Sequence, residues 1–180
     1  MVKNSGVKDG SNQGFTLIEL LVVVAMVALL LSLAAPSFNT MRLNQKLASA
    51  SNELYGAVLQ ARNEALNLNR RVTVAPMTGT DWKTGWRIYV DLDSNDAYST
   101  TDRLILETAP VDASFTLTGN NGGATPDNFS FDSRGFLRGG GGNRVVFKSA
   151  QTGREKQVIV FVTGRARLCD PKLNTKCTGA

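Results

Sequence analysis

Residues 15–35 form a 21-residue stretch that is apolar apart from Thr16, Glu19 and Ser32, and it stops at Pro36. As a helix it measures about 31 Å, enough to cross the hydrocarbon core of a bilayer. An ordinary signal peptide has a shorter apolar core and ends in a small-residue cleavage site. Here the distinctive residues, Gly14-Phe15-Thr16-Leu17-Ile18-Glu19, come before the run. A carboxylate at the edge of such a span costs free energy, so Glu19 calls for a partner unless it sits at the headgroup level. Lys3 and Lys8 on one side are matched by Arg42 and Lys46 on the other, so counting Lys and Arg leaves the orientation undecided.

Gly14-Phe15-Thr16-Leu17-Ile18-Glu19-Leu20 resembles the processing motif of type IV prepilins and type II secretion pseudopilins. The resemblance implies that residues 1–14 are a leader, cut after Gly14 by a prepilin peptidase, and that Phe15 becomes an N-methylated terminus. It implies that residues 15–35 stay on the mature chain, first as an inner-membrane anchor and then as filament core packed against other pilins. Glu19 would pair with the terminal amine of a neighbouring subunit, a strong attraction where the dielectric is low. Pro36 matches the family's helix-kinking position, where a main-chain hydrogen bond is lost. Residues 36–180 would form a periplasmic globular domain on a single-pass anchor.

After Pro36 the apolar spacing remains helical. Leu43, Leu47, Ala50, Leu54, Ala57, Ala61, Ala65 and Leu68 step by threes and fours, which predicts a core-facing stripe. One helix over about residues 15–69, bent near Pro36, would be roughly 80 Å long. Beyond Arg70 the period becomes two. Trp86, Ile88, Val90 and Leu92 alternate with Arg87, Tyr89 and Asp91, the pattern of a half-buried strand. Val72-Thr73-Val74, Leu104-Ile105-Leu106, Phe115-Thr116-Leu117, Phe129-Ser130-Phe131, Val145-Val146-Phe147 and residues 158–162 read as further strands, with glycines at 79, 85, 122–123 and 139–142 marking turns and loops. The expected fold class is α+β: a long N-terminal helix packed on an antiparallel sheet.

The chain contains no His, which removes the commonest general base and metal ligand. No set of nucleophile, base and orienting group can be named, so the chain reads as a non-enzyme without a cofactor. Cys169 and Cys177 are too few for a four-ligand zinc site. In an exported chain the pair reads as a disulfide closing a small loop; in a reducing compartment, as two thiols. Asp91, Asp93, Asn95 and Asp102 occupy positions one, three, five and twelve of a calcium-type loop, but Asp96 replaces the sharp-turn glycine and strands flank the loop. A polar hairpin turn is the competing reading.

Charge is unevenly spread. Residues 81–133 hold Lys83, Arg87 and Arg103 against nine acids, a net −6; residues 134–180 hold ten basic groups against Glu155 and Asp170, a net +8. A basic end suits a polyanionic partner. In a strand, Arg165 and Arg167 would share a side, each offering a planar fork of donors to a phosphate, with Lys172 and Lys176 close behind. Such a patch would hold double-stranded DNA by its backbone, without sequence preference. Residues 162–180 contain no aromatic, which argues against a single-strand stacking platform.

Trp82-x-x-Gly85-Trp86, the acidic turn at 91–96 and Gly164-Arg165-Ala166-Arg167 resemble the GspH/FimT family of minor pilins and pseudopilins. FimT-type members bind DNA in natural transformation through a Gly-Arg-x-Arg element, which implies Arg165 and Arg167 as contacts. FimU-like members belong to a pilus tip complex and GspH-like members to the tip of a secretion pseudopilus. The resemblance therefore implies a minor pilin of a type IV pilus with a role in DNA uptake, or a minor pseudopilin of a type II secretion system.

Overall fold

The computed structural model describes residues 14–119, 126–139, 143–174 and 177, and residues 33–37 by main chain alone. The leader at 1–13, the loop glycines at 122–123 and 140–142, Lys176 and the side chain of Pro36 lie outside the described residues. The chain divides into two units, Met1–Asn39 and Thr40–Ala180.

Helix α1 is Leu17–Leu68. Its start is a capping box. Glu19 N–H donates to Thr16 Oγ1 at 3.3 Å, while Thr16 N–H and Oγ1 each donate to Glu19 Oε2 at 2.9 Å. Within the first unit the large apolar side chains from Leu17 to Leu31 are exposed. Among the described residues no helix is long and apolar enough to cross a membrane.

In the second unit, the expected stripe is the buried face of the helix. Leu47, Leu54, Ala57, Ala61 and Ala65 are in the core, with Ala50 and Leu68 packed against it. Val58 is also buried, although the stripe as read omitted it; it stands one turn beyond Leu54. The helix stops because Asn69 takes the left-handed conformation (φ 50) and Arg70 N–H reaches back to Ala65 O at 3.3 Å, a Schellman-type closure.

The strands are β1 (Val72–Thr78), β2 (Asp81–Val90), β3 (Arg103–Glu107), β4 (Phe115–Thr118), β5 (Phe129–Phe131), β6 (Asn143–Ser149), β7 (Glu155–Val160) and β8 (Ala166–Cys169). Where the periodicity suggested one sheet, the described strands form two antiparallel sheets, ordered β3-β2-β1-β5 and β4-β6-β7-β8. The chain leaves the first sheet after β3 to place β4 in the second, returns with β5, and completes the second with β6, β7 and β8. Trp82, Trp86, Ile88, Phe129, Phe131, Phe147 and Val158 fill the core with the helix stripe.

Two strands end short of the sequence expectation. β2 stops at Val90 because Asp91 already belongs to the loop that follows. That loop folds over the outer face of the first sheet: the Tyr98 ring meets Tyr89 edge-on at 5.3 Å, and the Arg87 guanidinium lies 4.4 Å over Tyr98. Tyr89, expected on the solvent side, is therefore buried. β7 stops at Val160 because residues 161–165 form a tight hairpin.

Candidate nucleic-acid interface and its neighbours

The basic element sits on the β7–β8 hairpin. Phe161 N–H donates to Arg165 O and Gly164 N–H to Phe161 O, both at 2.8 Å, and Gly164 has φ +76. This is a three-residue loop closed by a residue in the left-handed region, where glycine is favoured. Gly164 has a second constraint. A Cβ there would overlap the carbonyl oxygen of Gly135 and meet Arg62 Nε at 2.8 Å. Gly135 ends the turn that begins at Asp132, whose Oδ1 accepts from the N–H groups of Arg134 and Phe136. From α1, Arg62 Nε donates to Gly135 O at 3.0 Å and Nη2 to Thr163 O at 3.5 Å. Leu137 N–H donates to Val162 O at 2.9 Å. Helix, β5–β6 turn and β7–β8 hairpin thus meet at one junction.

The two arginines of the element are not equivalent. Arg165 lies at the hairpin end, outside β8, and is exposed. Arg167 is half-buried, with its guanidinium 5.7 Å over the Phe161 ring. The register explains this. Arg144, Ile159 and Arg167 stand in one row across β6, β7 and β8. This row lies on the face of the second sheet that the C-terminal loop covers, because Ile159 packs with Cys169, Cys177 and Phe161.

The two cysteines form a disulfide with Cα atoms 5.8 Å apart. Arg144 Nη1 donates to Cys177 O at 3.2 Å and to Gln157 Oε1 at 3.3 Å. Arg154 and Lys156 both pair with Asp170 Oδ2, at 2.8 and 3.1 Å, and Lys172 N–H donates to Asp170 Oδ1 at 3.0 Å. Burial pushes the Asp170 carboxyl up, but these hydrogen bonds and the charges of Lys156 and Arg154 outweigh it and hold the group below the usual carboxylate range. Lys148 pairs with Glu155 and Arg134 with Asp132. Much of the +8 balance is therefore spent inside the domain. Among the described residues, no carboxylate pairs with Arg165 or Lys172, and both are exposed.

The acidic turn is tied by its own main chain. Asp91, Asp93 and Asp102 bring carboxylate oxygens within 4.8 Å of one another. Asp91 accepts from the N–H groups of Asn95 and Asp96, Asp102 from those of Leu92 and Ser99, and the Asn95 side-chain oxygen from Ala97 N–H. Arg71 Nη1 lies 3.2 Å from Asp91 and 3.3 Å from Asp96, so a guanidinium already meets this charge. Asp96 in turn accepts from Ser130 Oγ at 2.8 Å, fastening the loop to β5. Burial, then the nearby Asp91 charge, hold the Tyr89 phenol well above its ordinary range.

Arg62, Gly135 and Phe136 were not singled out by the sequence. The Asp132-Ser133-Arg134-Gly135 turn signal was present, but nothing local says which hairpin it meets.

Residues 50–164 match the family described as type II transport protein GspH, and residues 10–35 match the prokaryotic N-terminal methylation motif. The first match ends one residue before Arg165. No curated protein matches the chain. Three solved structures share the fold. The type IV minor pilin FimU of Pseudomonas aeruginosa (strain PAO1), in space group P21, superposes with a TM-score of 0.57 at 18% identity, over 70% of this chain and 90% of that one. Its P65 form gives 0.51 at 19%, over 68% and 91%. The minor pseudopilin EpsH from the Type 2 Secretion System of Vibrio cholerae gives 0.52 at 15%, over 70% and 98%.

Proposed function

This chain belongs to the GspH family of type IV pilin-like proteins, and from that premise we propose that it is a minor pilin of a type IV pilus that helps initiate assembly at the tip and holds DNA on its β7–β8 hairpin. The observation that carries the assembly role is the exposure of large apolar side chains from Leu17 to Leu31. A surface of that kind needs lipid or other apolar helices to cover it. In this reading prepilin peptidase cuts after Gly14, Phe15 becomes the methylated terminus, and the helix serves as inner-membrane anchor before it joins other pilins. Glu19, held to Thr16 in the isolated chain, exchanges that partner for the terminal amine of a neighbour. The subunit is non-catalytic.

Support for DNA binding is the exposed, unpaired Arg165 with Lys172 nearby in sequence; Arg167 contributes by shaping the hairpin more than by reaching out. Phosphate contact by these groups is independent of base sequence and weakens steeply with salt. The test is a gel-shift series with the full chain in detergent against duplex DNA. Arg165→Ala should weaken binding and reduce the salt slope by roughly one ion; unaltered binding in that variant removes the hairpin from the site. For processing, Gly14→Ala should leave uncleaved protein in the inner membrane, and normal cleavage of that variant sinks the assembly reading.

The family's description as a type II transport protein favours a second reading, a minor pseudopilin of a type II secretion system. A deletion strain assayed for transformation, twitching and secretion separates the two.

A further inference from the structure

We propose that Phe136 is a stacking platform for an unpaired nucleobase, placed beside the basic hairpin so that a single strand is gripped by ring and arginine together. The inference rests on the reading that the hairpin binds nucleic acid, and it adds a ligand class, single-stranded ends or tracts.

Phe136 is 46% exposed although its chain neighbours Gly135 and Leu137 are buried. The Gly135–Gly164 contact and the Leu137–Val162 hydrogen bond place it next to the hairpin that carries Arg165. Arg134, itself largely exposed, sets its guanidinium 5.6 Å from the Phe136 ring centroid. Val162 and Leu66, both 45% exposed, continue the apolar surface around the junction. Arg62 donates to the carbonyl oxygen of Gly135, the residue before Phe136, and Arg165 follows Gly164 on the adjoining hairpin; Asp132 is committed to two main-chain N–H groups and to Arg134. The site therefore combines a half-exposed aromatic ring, with the Arg134 guanidinium over one face, and neighbouring positive charge. A single strand matches both, offering phosphates and bases whose faces are free; a duplex hides its bases. The aromatic that residues 162–180 lack is supplied from another part of the chain.

The test is fluorescence anisotropy of the full chain in detergent, with labelled oligothymidylate and a blunt duplex of equal length at one low salt concentration. Phe136→Ala should weaken single-strand binding about five- to hundredfold, leave duplex binding within about twofold, and leave the salt slope unchanged because no charge is removed. Phe136→Trp should retain single-strand affinity. Phe136→Leu, which keeps apolar bulk and the fold but has no π-face, should behave like Phe136→Ala. Equal weakening of both ligands, retained affinity in Phe136→Leu, or no loss in Phe136→Ala overturns the proposal while leaving the hairpin reading intact. Failure of the unmodified chain to bind either ligand overturns both. Unchanged oligonucleotide binding with loss of a subunit cross-link at position 136 assigns the ring to a protein neighbour and also overturns it.

Discussion

Gly164 lies so close to the main-chain carbonyl of Gly135 that neither a methyl group nor any larger side chain fits between them. The contact joins two hairpins from different sheets, and Arg62 of the helix donates to the same carbonyl. The glycine of the Gly-Arg-x-Arg element is thus a packing requirement as much as a turn requirement.

Gly164→Ala should cost about 2–4 kcal/mol, from left-handed strain plus an unavoidable main-chain overlap. Gly153→Ala is the control. Gly153 has φ +64 but open space around its Cβ position, so it should lose only about 1 kcal/mol. Urea unfolding of both variants measures the difference. Equal losses would show that the Gly135 contact adds nothing.

Arg62→Ala should cost about 1–2 kcal/mol by removing a charged donor from two main-chain carbonyls. It should also speed amide exchange at Gly164, whose N–H closes the hairpin, and at Leu137, whose N–H crosses to that hairpin. Arg62→Lys should not restore protection, because one ammonium cannot reproduce the Nε and Nη2 pair. Exchange followed by mass spectrometry checks this, and full protection in the lysine variant refutes the fork argument.

Reducing the Cys169–Cys177 bridge, or Cys177→Ser, should cost about 2–3 kcal/mol, the chain-entropy value for so short a loop. The effect should be local, because among the described residues the apolar side chains clustered with the bridge are Ile159 and Phe161, apart from the main core. Proteolysis after reduction should clip the C-terminal loop while the sheets survive. Global unfolding on reduction would contradict this.

Asp170 has a lowered carboxyl pKa in the folded chain. Its contribution is fully present above the ordinary aspartate value of about 4 and is lost as pH falls through the depressed folded value. Stability should therefore decline as pH drops below about 4, and Asp170→Asn should flatten that decline while lowering stability at neutral pH. The exposed Lys46–Asp112 pair, although it too lowers an aspartate, should contribute little. A denaturation series across pH, run on Asp170→Asn and Asp112→Asn, separates the two.

The helix stripe and the strand positions were legible because period-four and period-two patterns report which side of an element is buried. Tyr89 shows where that reading fails. Its place in the alternation is a solvent position, yet Tyr98 of the following loop, nine residues on, packs over it. Arg167 fails for a related reason: spacing alone makes it the twin of Arg165, but it is half-buried with its guanidinium over the Phe161 ring, whereas Arg165 is exposed. The described acidic residues of the 91–102 turn were visible as a charge cluster; that Arg71 meets them was not.

By itself the sequence determined the processing motif around Gly14, the apolar helix after it, the α+β order and the cysteine pair. Each depends on residues a few positions apart, so local geometry suffices to read them. Only the tertiary structure decided that the described strands form two sheets, that Arg165 is the exposed arginine, and that Gly135, Phe136 and Arg62 gather near Gly164. Those three residues stand 28 to 102 positions from Gly164. Such relationships follow from which surfaces close the core, a choice that no single segment encodes.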